Sequence, residues 1–327
     1  MKTIARPIAA MLLWAALAAL SDGRDDRLTL FPNFQKGQIF TYLVQFRADK
    51  DIKTESNVAA PLSPNGGHLD AHGLLRIEVL EARPQKNRTE IHARARFQSL
   101  NSGVLPRKPG ERASKLPVEK QKPAEAAVEF TIRTNGLVED VKDLETLAPE
   151  QQQAWREWAT KFAIAGTFPK DGVKRGEKWD TATEEKSPSP VAGLSWTKNW
   201  QYVRDEPCRP AQISVTGEIT DEEKLTEQCA VILSTAKLRQ KSSAKNSSPE
   251  DYRLHELKTM GTAKGENEVI AYISLQTGLV VRATESAHQF MDVIVAKADD
   301  TNRVHYNVEA KSQSEVRLVT QIPLGNP

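Results

Sequence analysis

Pro149-Glu150-Gln151-Gln152-Gln153-Ala154-Trp155-Arg156-Glu157-Trp158-Ala159-Thr160-Lys161-Phe162-Ala163-Ile164-Ala165 reads as the one good amphipathic helix of this chain. Proline at the first helical position gives up no hydrogen bond there, and Glu150 suits the positive end of the helix dipole. Thr146 is the candidate N-cap, or the boundary lies a residue or two later. Ala154, Trp155, Trp158, Ala159, Phe162 and Ala165 recur at helical spacing and share a face. Gly166 ends the helix and Pro169 blocks its resumption. Two indoles and a phenyl ring on one stripe need an apolar surface beneath them, at about 2 kcal/mol or more each.

That surface has to be a sheet, because the sequence on both sides alternates with period two. Phe40, Tyr42, Val44 and Phe46 share one strand face. Ile91, Ala93, Ala95 and Phe97 alternate with His92, Arg94 and Arg96, the pattern of a half-buried strand. Residues 48–70 read partly as loop, and 101–125, with several prolines, as a long exposed loop. Asn135-Gly136 joins strands 127–132 and 137–141 in a hairpin. Later strands are expected at 176–180, 197–204, 212–219, 230–238, 252–260, 268–275, 279–285, 291–295 and 303–319, the last with one bend or break. The fold class is therefore mainly β: antiparallel curved sheets or an open barrel, with one central helix at 149–165.

Two echoes bear on domain organisation. Gly176-Glu177-Lys178-Trp179 resembles Gly37-Gln38-Ile39-Phe40, and Thr134-Asn135-Gly136-Leu137-Val138 resembles Gln276-Thr277-Gly278-Leu279-Val280. They describe either a diverged duplication or ordinary hairpin grammar. The resulting division is 22–145 as an N-terminal lobe, 146–170 as a helical connector and 171–327 as a C-terminal lobe.

Lys2 and Arg6 precede an apolar run from Ile8 to Leu20, too short for a comfortable membrane span. A signal peptide over 1–21 is expected, cleaved after Ser21 or after Ala18; an uncleaved anchor is the alternative. No cysteine sits there to carry a lipid. The whole chain has a net charge of +2, and removing Lys2 and Arg6 with the signal brings it to zero. Nothing electrostatic then points to nucleic acid. No later stretch is long and apolar enough to span a membrane as a helix. Cys208 and Cys229 are the only cysteines, and in an exported chain such a pair forms a disulfide. One difficulty stands: a hairpin of 211–219 with 225–233 would set them at different levels, so either the bridge exists and the strands are not a plain meander, or both thiols are free.

Catalytic motifs are missing. Ser195 in Gly193-Leu194-Ser195-Trp196 lacks the second glycine of a nucleophile elbow. Glu222-Glu223 and Asp299-Asp300 read as solubilising turn acids, and no phosphate-cradling loop is present. His68 and His72 form the one histidine cluster; they sit among Pro64, Gly66, Gly67 and Gly73, which favours loop over zinc site. No metal or cofactor is expected. Trp196, Trp200 and Tyr202 lie at even spacing on one strand face, which either stacks on sugars, lines a lipid groove, or packs on the helix.

The signal, the glycine-started strands, the Gly-Leu-Val hairpin turns and the Gly176-Glu177-Lys178-Trp179 start resemble those of uncharacterised exported β-rich bacterial proteins. More distantly the chain resembles periplasmic carriers of lipoproteins and lipids built as an open β-barrel with a helical lid. That resemblance implies an apolar cavity, no chemistry, and no functional residue that can be carried over. The expected function is a non-enzymatic exported binding or envelope-associated protein. It would hold an apolar small molecule, a lipid or an envelope protein against Trp155, Trp158, Phe162, Trp196, Trp200 and Tyr202. The alternatives are an interaction module with a filled core, or a hydrolase whose site forms only in three dimensions.

Overall fold

The computed structural model describes residues 27–30, 34–56, 66–85, 88–106, 127–134, 136–184, 189–213, 219–220 and 227–321. The expected signal peptide, Asn135 and most of the expected 101–125 loop lie outside them. The chain forms β1 (Ile39–Ser56), β2 (Gly66–Gln85), β3 (Arg88–Pro106), β4 (Ala127–Ile132), β5 (Val138–Lys142), α1 (Pro149–Phe162), β6 (Lys178–Glu184) and β7 (Leu194–Cys208). It continues with β8 (Ala211–Ile213), β9 (Ile219–Thr220), β10 (Glu227–Gln240), α2 (Glu250–Leu254), β11 (Leu257–Ser274), β12 (Val280–Lys297) and β13 (Val304–Gln321).

One sheet contains every strand, in the order β5-β4-β3-β2-β1-β13-β12-β11-β10-β7-β6, with β8 and β9 attached beside β13. All neighbours along that path are antiparallel; only β8 pairs in parallel. The edges β5 and β6 are consecutive in the chain, and the segment between them carries α1. The sheet is thus a meander opened at one place, not closed into a barrel. It curls nonetheless. Ile132 on β4 and Val280 on β12 line the same small cavity, although five strand spacings, roughly 24 Å, separate their strands along the sheet.

Alternation puts the apolar residues on the face that carries α1. Phe40, Tyr42, Val44 and Phe46 on β1 are buried, as are Leu75, Ile77 and Val79 on β2. Ile91, Ala93, Ala95 and Phe97 on β3 join them, as expected. The structure corrects several sequence-based boundaries. Residues 48–56 and 66–70 extend β1 and β2 instead of looping, and β11, β12 and β13 run unbroken where separate strands or a bend were expected. Gly261 does not break β11, because it is a point of close approach: a Cβ there would lie 2.2 Å from the Asp292 carbonyl oxygen. The strand expected from Tyr252 begins only at Leu257. Pro249, with Glu250 and Asp251 in the first turn, starts a short helix instead.

α1 matches its expected start and stops three residues early, giving way to a 3-10 turn at Ile164–Thr167. Its N-cap is Ala148, not Thr146, whose hydroxyl donates to the Asp143 carbonyl. The Gln151 amide oxygen accepts from the Ala148 N–H, satisfying a donor that a polar cap would leave to itself.

The Cys208–Cys229 disulfide is present, with Cα atoms 5.8 Å apart. The difficulty over levels disappears because β10 pairs with β7, not with the 211–219 segment. Cys208 opposes Glu227 and Cys229 opposes Glu206, so the two cysteines are diagonal neighbours.

Candidate functional site

α1 lies across the strands, held at three points. Gln151 in its first turn donates to Ser102 Oγ on β3 at 3.2 Å. Trp158 Nε1 in its middle donates to the Gln45 carbonyl on β1 at 2.9 Å. Lys161 in its last turn donates to the Glu285 carboxylate on β12. The Lys161 ammonium also donates to the Glu157 carbonyl at 2.8 Å, and its side chain is 1 % exposed. Burial alone would push the Glu285 carboxyl up; Lys161 and the Asn267 amide more than offset that and hold it below the ordinary carboxylate range.

The six aromatic candidates separate into groups. Trp155 packs edge-on against Phe130 and Trp158 edge-on against Phe97, while Phe162 lies tilted against Tyr42. Trp200 stacks on Trp179, and its indole N–H donates to Thr181 Oγ1 at 2.9 Å. Tyr202 donates its hydroxyl to Asp205, and burial with that carboxylate pushes the phenol up to about 12. All five are buried in one apolar core. Beside Phe162 the described cavity holds about 20 Å³, room for one water molecule and no ligand. Trp196 is different: it is half-buried, outside that core, and lies against Gly265, where an added Cβ would meet its ring at 2.9 Å.

The strand registers show what lies next to Trp196. The row of inward positions that starts under α1 runs Trp200, Ser234, Val269, Glu285, Ser314, Phe46 from β7 to β1, with the helix over its β12, β13 and β1 members. The next row reads Lys198, Ala236, Asn267, Ala287, Ser312, Ala48. The one after reads Trp196, Leu238, Gly265, Gln289, Ala310, Lys50. These two rows have a floor of alanine and glycine with amides and a hydroxyl among them. Asn267, Ala287, Ser312 and Ala48 are only half-buried, and Gln289 is exposed. Farther along the same face a second small core, with Leu194, Ala263 and Val293 at its centre and Met291 and Tyr306 packed against it, closes the other side. The result is a trough parallel to α1, between the helix and this second core. Its helix-side border has unmet hydrogen-bonding capacity. Among the described residues, Ser234 Oγ, Ser314 Oγ and Asn267 Oδ1 are buried with no partner, and Ser234 and Ser314 are 0 % and 6 % exposed.

The opposite face carries a separate groove of about 280 Å³ over β1, β13, β12 and β11, bordered by Gln45, Arg47, Glu268, Thr284, Gln313 and Glu315. Arg47 is tied to Asp70 at 2.7 Å and Glu315 to Arg282 at 2.8 Å. His68 and His72, read as loop residues, stand instead on β2 on this outer face, hydrogen-bonded to Asp49 at 2.9 Å and Asp70 at 3.0 Å. No group of three or more His, Cys, Asp or Glu able to hold a metal occurs among the described residues.

Apart from Trp196, the trough residues escaped the sequence reading because each sits in an unremarkable alternating strand. The one available signal was the run of small or polar residues at every second position, Ala283-Glu285-Ala287-Gln289 and Ala310-Ser312-Ser314, where apolar side chains would fill a core.

No protein-family model matches the chain, and no curated protein does. Among solved structures, Pseudomonas aeruginosa OpdQ is 8 % identical over 87 % of this chain and 100 % of its own, with a TM-score of 0.19. A conserved protein of unknown function with a hot dog fold from Alicyclobacillus acidocaldarius is 10 % identical over 89 % and 82 %, with a TM-score of 0.09. Likeness this weak amounts to shared β content and carries no argument about function.

Proposed function

We propose that this chain is a non-enzymatic binding protein of the exported space that takes its ligand in the trough beside α1. One contrast carries this reading: the aromatic face of the helix is consumed in a filled core, while the neighbouring rows of the same sheet face stay half-open over small residues. An apolar ligand against Phe162 would need space that a cavity of about 20 Å³ does not offer. The disulfide suits an oxidising compartment, in keeping with the apolar N-terminal stretch. No described helix is long and apolar enough to cross a membrane.

Native mass spectrometry of protein purified from its exported fraction tests the proposal. A non-covalent mass excess is expected that disappears in Ala287→Leu, which fills the trough floor. Bare polypeptide at every preparation refutes it. The outer groove supports a second reading, a protein-interaction surface, because Glu268, Thr284 and Gln313 there make no side-chain hydrogen bond among the described residues. An excess lost in Gln313→Arg but kept in Ala287→Leu would move the site to that face.

A further inference from the structure

We infer that the trough binds an extended acidic saccharide, stacked on Trp196 and hydrogen-bonded along the row beside it. This rests on the proposed binding role and assigns its chemical class. From β7 to β1 the two open rows cross five strand spacings, roughly 24 Å, long enough for a chain of several sugar rings. Trp196 stands at one end with its ring against Gly265, a residue that leaves the indole room to lie against the sheet. A half-buried indole offers a flat apolar face to the C–H surface of a sugar ring while its edges stay polar. Asn267, Gln289 and Ser312 follow across β11, β12 and β13, supplying the amide and hydroxyl partners that a polyhydroxylated ligand needs.

Two features separate this from an ordinary solvated strand face. Among the described residues, Ser314 under the helix and Ser234 farther along the same row are buried hydroxyls with no partner, and the buried Asn267 Oδ1 in the neighbouring row is equally unmet. Burying such groups unpaired is costly, so ligand hydroxyls, or waters ordered by them, have a site to satisfy. Charge is present as well. Lys198 and Lys50 stand at the two ends of these rows, and the nearby carboxylate, Glu285, is already engaged by Lys161. Cations at both ends of the rows favour an anionic sugar over a neutral one.

Isothermal titration of the intact protein with tetragalacturonate and with neutral maltotetraose tests the inference. Tetragalacturonate should bind at least about tenfold more tightly than maltotetraose. Lys198→Met should abolish that preference. Trp196→Ala should weaken both sugars at least about tenfold and Trp196→Phe by less. Gly265→Ala, which pushes the indole and crowds Gln289, should also weaken both. Unchanged melting temperatures establish that these variants fold. Sugar binding that survives Trp196→Ala and Lys198→Met overturns the inference. So does the absence of binding by either sugar. Oleate serves as the separate control: uptake of oleate lost in Ala287→Leu keeps the binding role and rejects the saccharide. Failure of all three probes, with no mass excess in the purified protein, rejects both.

Discussion

Lys161 and Glu285 concentrate the energetics of α1 in two side chains. Removing a lysine at 1 % exposure from water is costly, and the pair is stable only because Glu285, Glu157 and Asn267 surround it with hydrogen bonds. Glu285→Gln leaves the ammonium buried without a counter-charge and should lower stability by about 3 kcal/mol or more. Lys161→Met combined with Glu285→Leu should recover most of that, since apolar replacement of both partners removes the desolvation cost. Urea unfolding of the two variants checks the difference. The pH dependence has a definite sign. The Glu285 pKa is depressed in the folded protein, so its contribution is present above the ordinary carboxylate pKa of about 4.3 and is lost as pH falls through the folded value. The acid limb of a stability-against-pH curve should therefore be shallower in Glu285→Gln than in the native chain. His305 has the opposite sign: Asp292 at 2.7 Å, with Glu55, raises its pKa. Its contribution is present below about pH 6.5 and lost as pH rises through the folded value, so His305→Gln should flatten that slope near neutrality.

At the scale of elements, the hairpin between β4 and β5 is docked on the end of the helix rather than standing free. Gly136 has φ +78°, and a Cβ there would lie 2.7 Å from the Ala163 carbonyl oxygen. Gly136→Ala thus combines a left-handed backbone conformation with a backbone clash. It should cost more than about 1 kcal/mol, read as a lower urea midpoint with an unchanged slope. Asn-Gly announces the turn in the sequence; its contact with the helix end does not show there, because nothing local to 134–137 refers to residue 163. The disulfide was legible in the same partial way. Two cysteines in a chain expected to be exported predict a bond, but which strands it joins follows from β10 pairing with β7, and the β8–β9 excursion between them hides that. It closes a loop with a sequence separation of 21, worth about 3 kcal/mol on the chain-entropy model. Cys208→Ser with Cys229→Ser should lose about that much, and reductant should lower the melting point of the native chain but not of the double variant.

Over the whole molecule, period-two patterning was enough to predict antiparallel β with one helix laid on it, because a strand's burial pattern is written in its own residues. The joining of the two proposed lobes was not, because β1 pairs with β13 from Thr41 opposite Val319 to Ser56 opposite Val304. Register between such distant segments leaves no mark in either one alone, and the trough, assembled from rows across six strands, is hidden for the same reason. The consequence is thermodynamic. α1 touches β1, β2 and β3 from one half and β12 and β13 from the other, so neither half completes its core unaided. In a chain ending at residue 148, Tyr42, Val44 and Phe46 would lose both Trp158 with Phe162 above them and β13 beside them. Closing the β1–β13 seam late, across so long a loop, also makes folding slow. The two halves should therefore unfold as one unit, with indole fluorescence and far-ultraviolet circular dichroism changing together in urea. Residues 27–148 alone should be unstructured and gain strand signal only when residues 149–321 are added. Two separated transitions, or a stably folded N-terminal fragment, would show that each lobe keeps a core of its own and that the shared seam contributes little.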